Sequence, residues 1–398
     1  MGEFEVITVN DRECAAAICI VVVAYNRIAP LARLLSSLHR AEYDGEQIDL
    51  TISIDGSSNS DELVRQCLKF VWAHGRYTIR RFVQNQGLRR HVLACGDLSK
   101  EYDAVVVLED DLVVSTQFSR FAKAAIDFYS ADQQVAGISL YAPKYNEMAN
   151  LPFEPAPGKH SVYALQSAQS WGQVWTRSMW LAFRSWYDGR GEHLEAATDM
   201  PARIYSWPDT SWKKFAMKFL AESGKTWIYP YLSHSSNFSE LGSHNRVPTA
   251  LYQTPLDDVS RDYTFGRVDD LVCYDLFFER NADQLELHLG SSEEPIVVDL
   301  YGTRMKTQGP CQLITRRRLD YQPVETYGLA LRPHEASVVN RCSGDVIARY
   351  RVGAGECIKL DDFPLRDVVP FHSNLEWRHA LQFGFNGFGQ AVKRRLCI

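Results

Sequence analysis

Glu109, Asp110 and Asp111 stand together directly after the apolar run Ala104-Val105-Val106-Val107-Leu108. That run is short, continuous and rich in β-branched residues, the pattern of a strand buried on both faces. Three carboxylates at its end cannot be buried unpaired. They belong at the strand's C-terminal mouth, where open α/β sheets bind ligands. Hard oxygen ligands in such a place suit Mg2+ or Mn2+, and such a metal commonly carries a diphosphate. The plain alternative is a solvated acidic turn, and short motifs are prone to false positives. The rest of the chain must decide between them.

The elements that position the triplet alternate. Ile18 to Ala24 reads as a buried strand, and Pro30 opens a helix with Leu31, Leu34, Leu35 and Leu38 on one face. Leu50–Ile54 is a second strand, ending in Asp55-Gly56-Ser57, and Asp61–His74 is helical. Tyr77–Val83 is a third strand that leads into Asn85-Gln86-Gly87, and Leu88–Leu98 is helical. After the fourth strand come a helix near Gln117–Tyr129 and a strand near Val135–Leu140. This order implies a parallel, doubly wound α/β sheet with right-handed crossovers. Tyr141–Lys159, with four prolines, reads as a loop over the site. Trp227–Pro230 reads as a short strand. Beyond about residue 260 the texture changes. Leu285–Leu289, Pro295–Tyr301, Gln312–Thr315, Ser337–Asn340 and Asp345–Val352 read as short strands of a small β-rich module. The expected division is an N-terminal extension (1–14), a sheet domain (15–258) and the β-rich module (259–398).

Composition sets bounds. The chain has 398 residues, 45% hydrophobic, enough for a full core. A net charge of −6 argues against nucleic-acid partners. Nine scattered cysteines without a C-x-x-C suit a reducing cytoplasm, with most thiols as small core residues. Met1–Glu13 is polar and acidic, so it does not read as a signal peptide. Cys14–Ala24 is too short to span a bilayer. These features predict a soluble or peripheral cytoplasmic protein; oligomeric state is not legible.

Four strand ends now converge: Ala24-Tyr25-Asn26-Arg27, Asp55-Gly56-Ser57, Asn85-Gln86-Gly87-Leu88-Arg89 and Glu109-Asp110-Asp111. Together they resemble the nucleotide-sugar half of GT-A-fold glycosyltransferases over about Ala15 to Asn245. The likeness is greatest to inverting enzymes of the bacterial family 2 type and of the N-acetylglucosaminyltransferase I type. The resemblance implies a donor site for a nucleoside-diphosphate sugar, most simply a UDP-sugar. In it Asp55 holds the uridine, Asn85 lines the donor, Asp110 reaches the ribose or a metal-bound water, and Glu109 contacts the donor from the other side. Asp111 would ligate Mn2+ or Mg2+, and His244 of Gly242-Ser243-His244-Asn245 would join it from a closing loop. The triplet departs from the plain Asp-x-Asp pattern, which leaves the division of labour open.

Each residue also has its own chemistry. Asp55 could instead cap an Asx-turn. Tyr25 could lie against the base, and Arg27 could offset phosphate charge or pair with a carboxylate. Arg89 and Arg90 open a helix, which with arginine suits a diphosphate; Arg89 is the functional choice. Trp171-Gly172-Gln173-Val174-Trp175 resembles a Trp-Gly-x-x-Trp segment, with Trp171 at the sugar and Trp175 and Trp180 in packing roles. Inversion needs a base for the acceptor hydroxyl. Asp209, flanked by Trp207 and Trp212, resembles that base and should be desolvated by them, with its pKa raised; Asp199 is the second choice. Asp209 could also be only a helix N-cap. Phe383–Arg395 mixes aromatics with basic residues, as a tail docking on an anionic membrane would, or one packed on its own domain. The implied activity is sugar transfer to a hydroxyl of a glycan or lipid-linked glycan in bacterial surface-polysaccharide assembly. A sugar nucleotidyltransferase, or a non-catalytic sugar-binding scaffold, are the other readings.

Overall fold

A computed structural model describes residues 2–11, 16–238, 250–290, 293–360, 381 and 384–385. Its centre is a ten-stranded sheet. Strands β2 (Ile18–Ala24), β3 (Ile48–Ile54), β4 (Tyr77–Phe82) and β5 (Ala104–Glu109) run parallel in the order β4-β3-β2-β5. They are joined by α1 (Ile28–Arg40), α2 (Ser60–Leu68) and α3 (Leu88–Gly96). Leu31, Leu34, Leu35 and Leu38 of α1 are buried, as their spacing predicts. The sheet continues past β5 through Gln173–Thr176, which is antiparallel to both neighbours, and then β7 (Val135–Ser139), Thr226–Pro230, Val162–Leu165 and Cys273–Tyr274. Between β5 and β7 lie β6 (Leu112–Val114) and α4 (Phe118–Tyr129). The result is a mostly parallel, doubly wound α/β architecture.

Two parts of the main sheet depart from the sequence reading. Phe4–Asn10, in the stretch expected as an extension, forms β1, an edge strand antiparallel to β4. Its residues are exposed or half-buried; backbone pairing holds it, with Ile7 and Val9 packed against the core and Phe4 against Phe82. The sheet also runs past residue 258, to Tyr274.

The later residues form a four-stranded sheet of Ile296–Asp299, Cys311–Thr315, Ile347–Val352 and Glu325–Tyr327, with its own core. Two segments read as strands are helices, Ala282–Leu289 and His334–Val339. The first is instructive. Leu285, Leu287 and Leu289 alternate as a strand would, yet Leu285 and Leu289 are buried while Leu287 is 85% exposed. The burial follows i,i+4, not i,i+2. Cys19, Cys67, Cys95, Cys273 and Cys311 are buried free thiols, as expected of core residues. Among the described residues no helix is long and apolar enough to cross a membrane.

The register of β5 fixes the triplet. Ala104 to Leu108 are all at most 2% exposed, and each buried Val or Leu is worth about 1.5–3 kcal/mol.

Candidate active site

Strand register assembles the site. Val23 of β2 pairs with Glu109, and the amide of Asp55 donates to the carbonyl of Ala24 at 2.9 Å. Gln173 pairs with Val107 in antiparallel register, so the chain just before Gln173, which carries Trp171, joins that strand at the same end of the sheet as Glu109. Asp55, Tyr25, the triplet and Trp171 therefore follow one another across one end of the sheet.

Arg27, just before α1, donates to both Asp110 and Asp111, the latter at 3.2 Å. The two carboxylate side chains are only 4% and 11% exposed. Arg27 thus pairs with the triplet itself rather than with a surface carboxylate. One oxygen of each acid, Asp110 Oδ2 and Asp111 Oδ1, is buried without a hydrogen-bond partner. Burial pushes the Asp110 carboxyl up to about 6, against the opposing guanidinium of Arg27 and with the help of Asp111. Burial raises Glu109 as well, followed by repulsion from Asp111 and Asp110. Three acids facing one arginine leave the mouth short of positive charge.

A divalent cation fits that deficit. The two orphaned oxygens are hard donors, and Mg2+ or Mn2+ is commonly held by one or two carboxylates completed by substrate phosphates and water. Among the described residues no three His, Cys, Asp or Glu side chains converge on one metal position, so phosphate oxygens and water would complete the shell. His244 lies outside the described residues. The chain before it is anchored at the site, because the amide of Phe238 donates to the carbonyl of Asp111 at 3.1 Å.

Asp55 has a structural task that the sequence does not reveal. It is 3% exposed. Its Oδ1 accepts from the amides of Gly56 at 2.9 Å and Gln86 at 2.7 Å, and its Oδ2 from Gly87 at 3.2 Å. Burial raises its pKa and the three amides oppose that. It ties the loop after β3 to the loop after β4 and keeps about one acceptor position on Oδ2 for a ligand. A Cβ on Gly56 would come within 2.3 Å of the backbone of Gln84, so only glycine permits this approach. Asn85 Nδ2 donates to the carbonyl of Gly56 at 3.3 Å. Tyr25 is 38% exposed at the mouth. Arg89 lies over the Phe215 ring at 4.8 Å and donates to the carbonyl of Glu192 at 3.1 Å, while Arg90 is exposed.

Trp171 is half-buried, with Tyr141 and Tyr252 each 4.9 Å away between ring centroids. Trp175 and Trp180 are core residues, as their packing role requires. Gly172 has φ +95°, and a Cβ there would meet Ser235 Oγ at 2.7 Å and Leu140 Cβ at 2.9 Å. The close approach this glycine serves is between protein segments. Lys213 and Glu147 are members of the site that sequence reasoning missed. Lys213 Nζ lies 2.5 Å from Glu147 Oε1, and its charge reaches Glu109 and opposes that acid's raised pKa. The one signal for Lys213 was its place beside Asp209 at a helix start.

Asp209 differs from expectation. Ser211, not Asp209, caps the helix Trp212–Ser223. Trp212 is buried in the core and Trp207 is half-buried, and what desolvation the acid feels is outweighed. Lys214 Nζ at 2.9 Å and His193 Nδ1 at 2.6 Å bind its two oxygens instead, and they lower its pKa. Asp199 is bound by Tyr205 and Lys218; burial raises its pKa, but those two partners hold it below the usual range. A groove of about 960 Å3, bordered by Asp44, Asp103, Lys123 and Arg177, opens at the other end of the strands and contains none of these residues.

Residues 19–165 match the model of glycosyl transferase family 2. The matched segment holds all four strand ends and the triplet, and it bears out the likeness to GT-A glycosyltransferases drawn from the sequence. No curated protein sequence matches the chain. Among solved structures, it resembles the mannosyltransferase PcManGT of Pyrobaculum calidifontis, in complex with GDP-Man and Mn2+. Identity is 11%, over 54% of each chain, with TM-score 0.35. It also resembles residues 1–349 of TarS from S. aureus in complex with UDP-GlcNAc, at 11% identity over 57% of this chain and 60% of that one, with TM-score 0.35. The chain thus spans 54% and 60% of the lengths of these two proteins.

Proposed function

We propose that this chain is an inverting, metal-dependent glycosyltransferase. It moves a sugar from a nucleoside-diphosphate donor, most simply UDP-linked, to a hydroxyl of a glycan or lipid-linked glycan in surface-polysaccharide assembly. The observation that carries this reading is the pair of orphaned buried oxygens on Asp110 and Asp111, beside Arg27, within the family 2 segment.

The residues divide the work as follows. Asp55 and Asn85 receive the nucleoside, and Tyr25 lies against the base. Asp111, with His244, would hold Mn2+ or Mg2+, which when bound offsets charge on the leaving diphosphate. Arg27 and Arg89 add positive charge on the same side. Glu109 and Trp171 line the donor sugar, on whose other face the acceptor hydroxyl approaches, and Asp110 reaches the ribose or a metal-bound water. Asp209 serves the departure of the proton of that hydroxyl, with Asp199 the alternative acid. The basic, aromatic C-terminal tail docks on anionic lipid where lipid-linked acceptors lie; removing it from Phe383 onward should lower sedimentation with anionic vesicles.

Titration of UDP with and without Mn2+, followed by nucleotide release from a panel of UDP- and GDP-sugars, tests the reading. Mn2+-dependent UDP binding and release from at least one donor are expected. Absence of UDP binding in both conditions would overturn it, and binding without release would favour a sugar-nucleotide-binding scaffold.

A further inference from the structure

We propose that His193 is the general base of the transfer and that Asp209 is its positioning residue; this rests on the glycosyltransfer reading above. His193 Nδ1 lies 2.6 Å from Asp209 Oδ2. The other oxygen of Asp209 accepts from Lys214 Nζ at 2.9 Å, and Lys214 also donates to the carbonyl of Trp207 at 2.9 Å. Lys214 is 4% exposed, so the carboxylate is fastened to a rigid first turn of the helix Trp212–Ser223. A carboxylate that accepts from Nδ1–H fixes the tautomer and leaves the Nε2 lone pair free. The His193 side chain is 80% exposed, which leaves Nε2 open to an incoming hydroxyl.

The chemistry favours the imidazole over the acid. Asp209 is held ionised by Lys214 and His193, and a carboxylate stabilised in that way is a weak proton acceptor. Imidazole is the side chain whose ordinary pKa lies nearest neutral pH, where general bases work best.

The placement fits as well. The carbonyl of Glu192 accepts from Arg89 Nη1 at 3.1 Å, and the Glu192 carboxylate lies 3.5 Å from Arg90. The segment that carries His193 is thereby clipped to the first turn of α3, directly after the loop tied to Asp55. On the helix that fastens Asp209, the neighbouring Lys213 reaches Glu147 and the field of Glu109. The segment carrying His193 thus touches the start of α3 through Glu192 and, through Asp209, the start of the helix Trp212–Ser223.

In the step, the proton of the acceptor hydroxyl moves to His193 Nε2. The acceptor oxygen forms its bond to the anomeric carbon. The bond from that carbon to the diphosphate breaks, and its electron pair leaves with the nucleoside diphosphate. Asp209 balances the imidazolium until the proton passes to solvent.

The test uses the full chain, with Mn2+, and UDP or GDP release from UDP-glucose, UDP-GlcNAc and GDP-mannose, water serving as acceptor. His193→Ala should lower release by about 10²-fold or more, with UDP binding unchanged, and added imidazole should restore part of it. Asp209→Asn should also slow release, but should cost nothing more when combined with His193→Ala. Wild-type rates in His193→Ala would overturn the proposal. So would a further loss of about tenfold on adding Asp209→Asn, which would return the base role to the acid itself. A wild-type protein that releases no nucleotide from any donor defeats the glycosyltransfer reading, so the two failures are distinct.

Discussion

Arg27→Met separates the electrostatics of the acidic mouth from its fold. Methionine keeps an unbranched apolar stem of similar reach and removes only the guanidinium. In the native protein that guanidinium binds Asp110 and Asp111, whose side chains are 4% and 11% exposed, while Arg27 itself is 26% exposed. Removing one partner of a buried pair costs about 3–5 kcal/mol. Partial exposure of the arginine places the expected loss at the lower end, about 3 kcal/mol. That is a large share of a total stability of about 5–15 kcal/mol. With a urea m-value of about 3 kcal/mol per M, the unfolding midpoint should fall by about 1 M. Mn2+ should then return more stability to the variant than to the wild type. Occupancy at about 100 times Kd is worth about 2.7 kcal/mol, and the variant has the larger charge deficit to fill. The assay is urea unfolding with and without Mn2+. A midpoint within about 0.3 M of wild type, on the same m-value, would show that the pair does not hold the mouth together. An equal Mn2+ response in both proteins would refute the idea that the orphaned oxygens await a cation.

Asp111→Ala should abolish Mn2+-dependent UDP binding in calorimetry, with Arg27 still paired to Asp110; unchanged binding would remove Asp111 from the metal site. Gly172→Ala should destabilise by about 2–4 kcal/mol, because φ is +95° and the new Cβ meets Leu140 and Ser235; a wild-type melting temperature would contradict that geometry. His91 is buried against Ser53 and its pKa is lowered to about 3, by burial first and by Arg80 second. Its neutral form contributes stability fully above the unfolded value of about 6.5, and that contribution is lost as pH falls toward the folded value. The stability advantage of wild type over His91→Gln should therefore shrink by about 3 kcal/mol between pH 7 and pH 4, read from urea midpoints; a constant gap would refute it.

Fold legibility followed the strength of the periodic signal. The runs Cys19–Ala24 and Ala104–Leu108 are buried on both faces, and such runs allow few other assignments. The helix α1 was legible from four leucines on one face. Hidden elements were those whose side chains do not carry the pairing. Phe4–Asn10 pairs at a sheet edge with no fully buried position, and Gln173–Thr176 was masked by a tryptophan pattern that reads equally as a binding stripe. Ala282–Leu289 mimicked a strand because one exposed leucine, Leu287, filled the alternate position.

The site was legible where strand ends define it and illegible where long side chains reach across the fold. Asp55, Arg27 and the triplet gather because parallel strands bring their C-terminal ends together, which the order of elements alone implies. No spacing could show that Arg27 would fasten itself to Asp110, 83 residues away, or that Asp55 would spend three acceptor positions on loop amides. Asp209 is the clearest case. Its tryptophan neighbours in sequence suggested desolvation, but consecutive residues at a helix start point in different directions. Trp212 turns into the core, 6.4 Å from Trp175, while the carboxylate turns outward to Lys214 and His193. The environment that sets its chemistry comes from residue 193 on another segment. A local sequence pattern therefore predicted the wrong sign for the pKa of this acid.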